Sequence, residues 1–154
     1  GDVVTVAPMV PHSLQHGVRV IEFQTPSYER YILSFGQEVL TQDHWDTDSA
    51  LAGARTEIST PTPTVQISPG LDLIADFDAF KVTRLMLEPG NSTNTQHTNY
   101  TMIIGVAGEM ALDDLTTVGP EQAFFQAPKE ALRFTNRGTA PATVLIAEEN
   151  TPPR

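Results

Sequence analysis

The feature that most limits what this chain can fold into is its punctuation. Short runs rich in Val, Ile, Leu, Phe and Thr are cut every few residues by Pro or Gly, of which the sequence holds 12 and 10. A helix needs apolar residues three and four apart over at least two turns, and almost none of these runs is long enough to sustain that period. Runs of this length bounded by turn formers read as strands, and the succession of them predicts an all-β sandwich or barrel. Downstream of the Pro/Thr stretch at 56–64, strands are expected near 65–68, 71–76, 79–88, 100–107, 109–113, 115–118, 122–126, 132–135 and 142–148. Nine short strands are enough to close a small double-sheet barrel, so residues 64–154 are expected to form a complete domain.

The first 26 residues are different. They supply two strand-like runs, 2–7 and 17–24, and two strands alone are marginal in water. They need a sheet to join. Residues 27–63 form a connecting segment in which Tyr28, Tyr31, Ile32 and Phe35 fall at helical spacing until Gly36 interrupts them. A short helix is expected at 48–55, capped by Asp48 or Ser49.

Composition excludes several classes of function. Nine Lys plus Arg stand against 19 Asp plus Glu, a formal net charge of -10, and such a surface repels a phosphate backbone. Nucleic acid is therefore not expected as a partner. The chain has no cysteine, which rules out disulfides and thiolate metal sites and leaves any metal to His and oxygen ligands. No apolar run approaches the ~20 residues needed to span a bilayer, and the first residues lack the pattern of a secretory leader. No membrane association and a cytoplasmic location are expected.

The chain also repeats itself. Residues 6–17, VAPMVPHSLQHG, lie over 126–138, QAPKEALRFTNRG, and VIEFQTP at 20–26 lies over IAEENTP at 146–152. The loop between the two segments is longer in the second copy, a small cost in a surface turn. The sequence thus reads as the tail of one β-domain followed by the whole of a related one, with Leu132 standing where His12 stands.

These residues resemble a known family. The cupins carry a second motif of the form GxxxxxPxGxxHxxxN, and GDVVTVAPMVPHSLQH is similar to it, with Gly1 first, Ala7 and Met9 at the proline and second glycine, His12 as the histidine and His16 for the asparagine. The continuation, PHSLQHGVRVIEFQTPSYERYIL, resembles the stretch of type I phosphomannose isomerases that reads Pro-His-Ala-Leu, a glycine, an apolar strand ending Glu-Ile-Gln, and a Ser and Tyr-Arg segment. DHWDTDSAL at 43–51 is similar to a later His-containing segment of that family.

The resemblance implies a cupin-type double-sheet jelly-roll: one complete barrel at 64–154, preceded at 1–26 by the closing strands of a first, incomplete barrel. It implies metal-dependent isomerisation of an aldose phosphate to a ketose phosphate, mannose 6-phosphate above all. That reaction needs a polarised carbonyl, a base for the carbon-bound proton and a cation for developing charge. His12 matches the family's metal-binding histidine, with zinc as the usual metal, and Arg30 matches its arginine, although the order here is Tyr-Glu-Arg.

The plain readings stand beside these. His16 faces solvent or caps a turn; Glu22, between Ile21 and Phe23, is on an outward face or is a buried acid with a partner. The His44, Trp45 and Asp46 segment packs against the barrel.

In the second barrel the first cupin motif, GxxxxxHxHxxxE, counted from Gly90 places Gln96 and Thr98 at the histidines and Met102 at the glutamate, while Leu132 takes the histidine of the second motif. Only Gln96 could coordinate, His97 is expected to point out, and no metal is expected there. One histidine does not hold zinc, so His12 needs co-ligands from upstream sequence or from a second chain, and the chain alone is expected to be inactive. The rival expectation is a non-enzymatic module that binds a small ligand or dimerises, its exposed strand edges pairing with another copy in a strand-exchanged form. An iron oxygenase is less supported, because His12, His16, His44 and His97 do not assemble a two-histidine-plus-carboxylate set.

Overall fold

A computed structural model describes residues 2–25, 31–33, 47–56 and 63–150. The chain divides into two compact units, Gly1–Pro61 and Thr62–Arg154, and each is taken by itself.

In the first unit the ordered element is helix α1 (Thr47–Gly53). Ala and Leu favour it, Ala50 is buried, and Asp48 lies in the first turn, where the helix dipole favours a carboxylate. The expected helix is there, and it begins at Thr47, one residue before the expected caps. Its exit is tied down by the Arg55 amide, which donates to the Met9 carbonyl at 2.9 Å. Turns close at Ala7–Val10 and Gln15–Val18, with Gly17 at φ 83°, a backbone region glycine adopts without penalty.

The two runs expected as strands, 2–7 and 17–24, are irregular here. The physical reason is the one that made them marginal: a strand is defined by the backbone hydrogen bonds it exchanges, and the described residues of this unit contain no sheet to exchange them with. The expected helix around Tyr28 to Phe35 and the segment His44 to Asp46 fall largely outside the described residues.

The second unit carries ten strands: β1 (Val65–Ser68), β2 (Leu71–Asp76), β3 (Phe80–Leu87), β4 (Ser92–His97), β5 (Thr101–Ala107), β6 (Met110–Leu112), β7 (Thr116–Val118), β8 (Ala123–Gln126), β9 (Lys129–Asn136) and β10 (Ala142–Glu149). They form two antiparallel sheets, one of six strands in the order β1-β2-β3-β10-β5-β8 and one of four in the order β4-β9-β6-β7. This is the all-β double-sheet architecture expected from the punctuated runs, with one strand more than anticipated.

Alternation explains the core. On β10, Ala142, Val144 and Ile146 are buried and the residues between them are not. They meet Leu85 and Leu87 of β3, Ile103 of β5, Met110 and Leu112 of β6, Val118 of β7, and Leu132 and Phe134 of β9 in one cluster. Each such side chain contributes about 1.5–3 kcal/mol when fully buried. Two polar details close the ends. Asn136, wholly buried, donates through Nδ2 to the carbonyls of Leu87 (2.8 Å) and Ala140 (2.9 Å) and accepts from the Gly138 amide at Oδ1. At Gly105 the Gly119 carbonyl approaches so closely that a Cβ would lie 1.9 Å from it, so only glycine fits on β5 at this crossing.

Candidate functional site

The polar interior of the second unit gathers where β4 ends. Strand β4 reads Ser-Thr-Asn-Thr-Gln-His, with Thr93 and Thr95 half-buried, His97 buried and Asn94 and Gln96 exposed. Register places Thr95 opposite Leu132 on β9, with a bulge before His97. Thr95, His97 and Leu132 therefore share the inner side.

This corrects the expectation that Gln96 would point in and His97 out. The same correction holds for Met102, which lies on the outer face of β5 opposite Phe125 at 43% exposure, while Thr101 is wholly buried. Alternation with period two was the right rule; counting from Gly90 set its phase one residue off, and a one-residue slip moves every side chain to the other face. Leu132 is buried in the core as expected.

His97 is 5% exposed and Glu148, the next inward residue of β10 after Ile146, is 6% exposed. The imidazole Nε2 lies 2.6 Å from Thr95 Oγ1, and Nδ1 lies 3.5 Å from Glu148 Oε2, at the outer limit of a hydrogen bond. Lys81 Nζ, from β3, sits 3.3 Å from the same oxygen. The other carboxylate oxygen accepts the backbone amides of Thr98 at 3.1 Å and Asn99 at 3.4 Å. A carboxylate can be buried only when its lone pairs are satisfied, and here four nitrogen atoms converge on it, from Lys81, the His97 ring and the amides of Thr98 and Asn99.

Neither Glu148 nor β4 was singled out from the sequence. A signal for Glu148 existed: it falls on the buried phase of Val144 and Ile146, where a solvated acid has no place.

In the first unit His12 is exposed, and its Nδ1 lies 2.9 Å from the Val10 carbonyl. A carbonyl only accepts, so Nδ1 carries the proton and Nε2 keeps its lone pair. Metal-binding imidazoles are commonly held in this way, by a backbone carbonyl on the nitrogen away from the metal. His16 is exposed, as the solvent reading has it, and so is Glu22. Arg30 lies outside the described residues. No group of three or more His, Asp or Glu among the described residues could hold a metal ion, so the donor set around His12 does not by itself fit a divalent cation.

No family model and no curated protein matches the chain. Among solved structures it is similar to a cupin domain from Bordetella pertussis, at 12% identity over 60% of this chain and 98% of that one, with TM-score 0.47. It is similar to an RmlC-like cupin from Shewanella frigidimarina at 14% identity over 58% and 85%, with TM-score 0.47. A sugar phosphate isomerase of the cupin superfamily from Silicibacter pomeroyi is 24% identical over 55% of this chain and 62% of that one, with TM-score 0.44.

Proposed function

We propose that the second unit is a metal-free jelly-roll module and that His12 belongs to a separate site, of the kind found in sugar-phosphate aldose–ketose isomerases, for which the chain's described residues supply a single imidazole. One observation carries the first half. The inner positions where a cupin metal would sit hold Thr95, His97, Thr101 and Leu132, and the one imidazole among them is already engaged on both nitrogens, by Thr95 and by Glu148. A hydroxyl, a threonine and a leucine leave a divalent ion without the charge-balancing ligands it needs. The second half is supported by the likeness of residues 11–33 to the phosphomannose isomerases and by the carbonyl-held Nδ1 of His12. Mannose 6-phosphate is the substrate that likeness favours, and Arg30 the residue that matches the family's arginine.

Incubating the purified chain with zinc and mannose 6-phosphate tests this. Turnover is expected to be absent without added co-ligands, and robust isomerisation sinks the reading. Metal analysis of the same protein separates the readings: stoichiometric metal lost on His12→Ala favours the isomerase-type site, while metal-free protein with an intact fold favours a binding module.

A second reading, a non-enzymatic binding or dimerising module, rests on the outer face of β5 and β8. There Phe125 is 63% exposed and stacks on Tyr100 at 5.3 Å, with Met102 beside it. Sedimentation at two protein concentrations separates the readings: a homodimer lost on Phe125→Ser favours the module.

No helix among the described residues is long and apolar enough to cross a membrane.

A further inference from the structure

We infer that Glu148 is a latch which holds the β4–β5 turn shut over His97, so that opening this turn, rather than unfolding the barrel, exposes a histidine otherwise withdrawn from solvent. The inference rests on how the partners are distributed. Glu148 sits on β10, in the middle of the six-stranded sheet. The turn Thr98–Tyr100 joins β4, at the edge of the four-stranded sheet, to β5 in the six-stranded one. One carboxylate oxygen takes the two amides of that turn. The other faces Lys81 from β3 and the His97 ring from β4.

Further hydrogen bonds also hold the turn. Asn99 Nδ2 donates to the Glu149 carbonyl at 2.9 Å, the Glu149 amide reaches the Tyr100 carbonyl at 3.4 Å, and Thr101 Oγ1 donates to the Asn99 carbonyl at 3.2 Å. Apolar packing touches it at Tyr100, whose exposed ring stacks on Phe125 at 5.3 Å; Thr98 is exposed, and the buried apolar cluster begins beyond the turn, at Ile103. Segments held by polar bonds at the rim of a core open locally while the core stays closed. His97, hydrogen-bonded to Thr95 of its own strand, is the group such an opening delivers to solvent.

The chain carries its own controls, since His12 and His16 are exposed. Diethyl pyrocarbonate acylates accessible neutral imidazoles, and mass spectrometry of peptides gives each histidine its own rate. In the unaltered protein His97 is expected to react at least about tenfold more slowly than His12 and His16. Removing a charged acceptor from two amides shifts a local opening by about tenfold or more. Glu148→Ala is therefore expected to bring the His97 rate to within about threefold of the other two, with faster hydrogen exchange at Thr98 and Asn99 and little change at Ile103 and Ile146.

Glu148→Gln, which keeps one carbonyl oxygen for the turn amides, is expected to lie between, and it decides the matter if the alanine variant fails to fold. Lys81→Met, which spares the amide bonds, is expected to leave the His97 rate within about twofold. The inference is overturned if His97 stays slow in folded Glu148→Ala, or if Lys81→Met frees it as much as Glu148→Ala does.

Discussion

Residues 6–25 and their repeat partner at 126–149 are written in nearly the same pattern and have different fates. In the second copy the segments become β9 and β10, and each is an interior strand: β9 lies between β4 and β6, and β10 between β3 and β5. In the first copy the same pattern is irregular, with Val6, Leu14, Val18, Val20 and Ile21 exposed. The difference teaches that a strand pattern is a demand for neighbours. An interior strand needs a partner on both sides, and its apolar face stabilises only once a second sheet covers it.

That comparison can be broken most sharply at the largest core residue. Phe134→Ala is expected to destabilise the second unit by about 3–5 kcal/mol, while Leu14→Ala, its counterpart in the repeat, changes stability by less than about 0.5 kcal/mol. Urea unfolding followed by circular dichroism reads both, and equal effects would mean that the first copy is structured in solution.

Leu132→His, which writes the first copy's histidine into the second, is expected to cost about 2–5 kcal/mol, because an imidazole replaces a leucine in a closed apolar core. Excess zinc is expected not to restore the lost stability. Restoration of the midpoint would show that His97 and Glu148 can complete a metal site and would overturn the metal-free reading.

A smaller contrast lies at the other matched pair. Asn136→Ala strands the carbonyls of Leu87 and Ala140 and the amide of Gly138, at a cost of about 1–3 kcal/mol, whereas His16→Ala is expected to be neutral in thermal denaturation.

The legible part of the fold was the part in which apolar residues alternate. Residues 142–148 announce their inner face through Val144 and Ile146, and Pro and Gly mark where strands stop. Strand β4 was not legible because Ser-Thr-Asn-Thr-Gln-His contains no apolar residue; Thr93 and Thr95 can face inward only because the strand borders the sheet and ends in the His97–Glu148 cluster. The same lack of an apolar marker hid the phase of the strand, and so the sidedness of Gln96 and His97. The role of Glu148 was not legible, since a carboxylate's worth depends on donors distant in the chain: Lys81 is 67 residues away from it, His97 is 51.

The central positions of β9 and β10 also govern the order in which the barrel can be made. During synthesis, β1 to β8 leave the ribosome while the middle of both sheets is still vacant, so β3 has nothing to separate it from β5 and β4 cannot meet β6. The four-stranded sheet becomes continuous only when the chain has been made as far as Asn136, and the six-stranded one only at Glu149. Contacts of this sequence separation make folding slow, and unpaired strand edges persist meanwhile. The second unit therefore cannot close until its last two strands have been made.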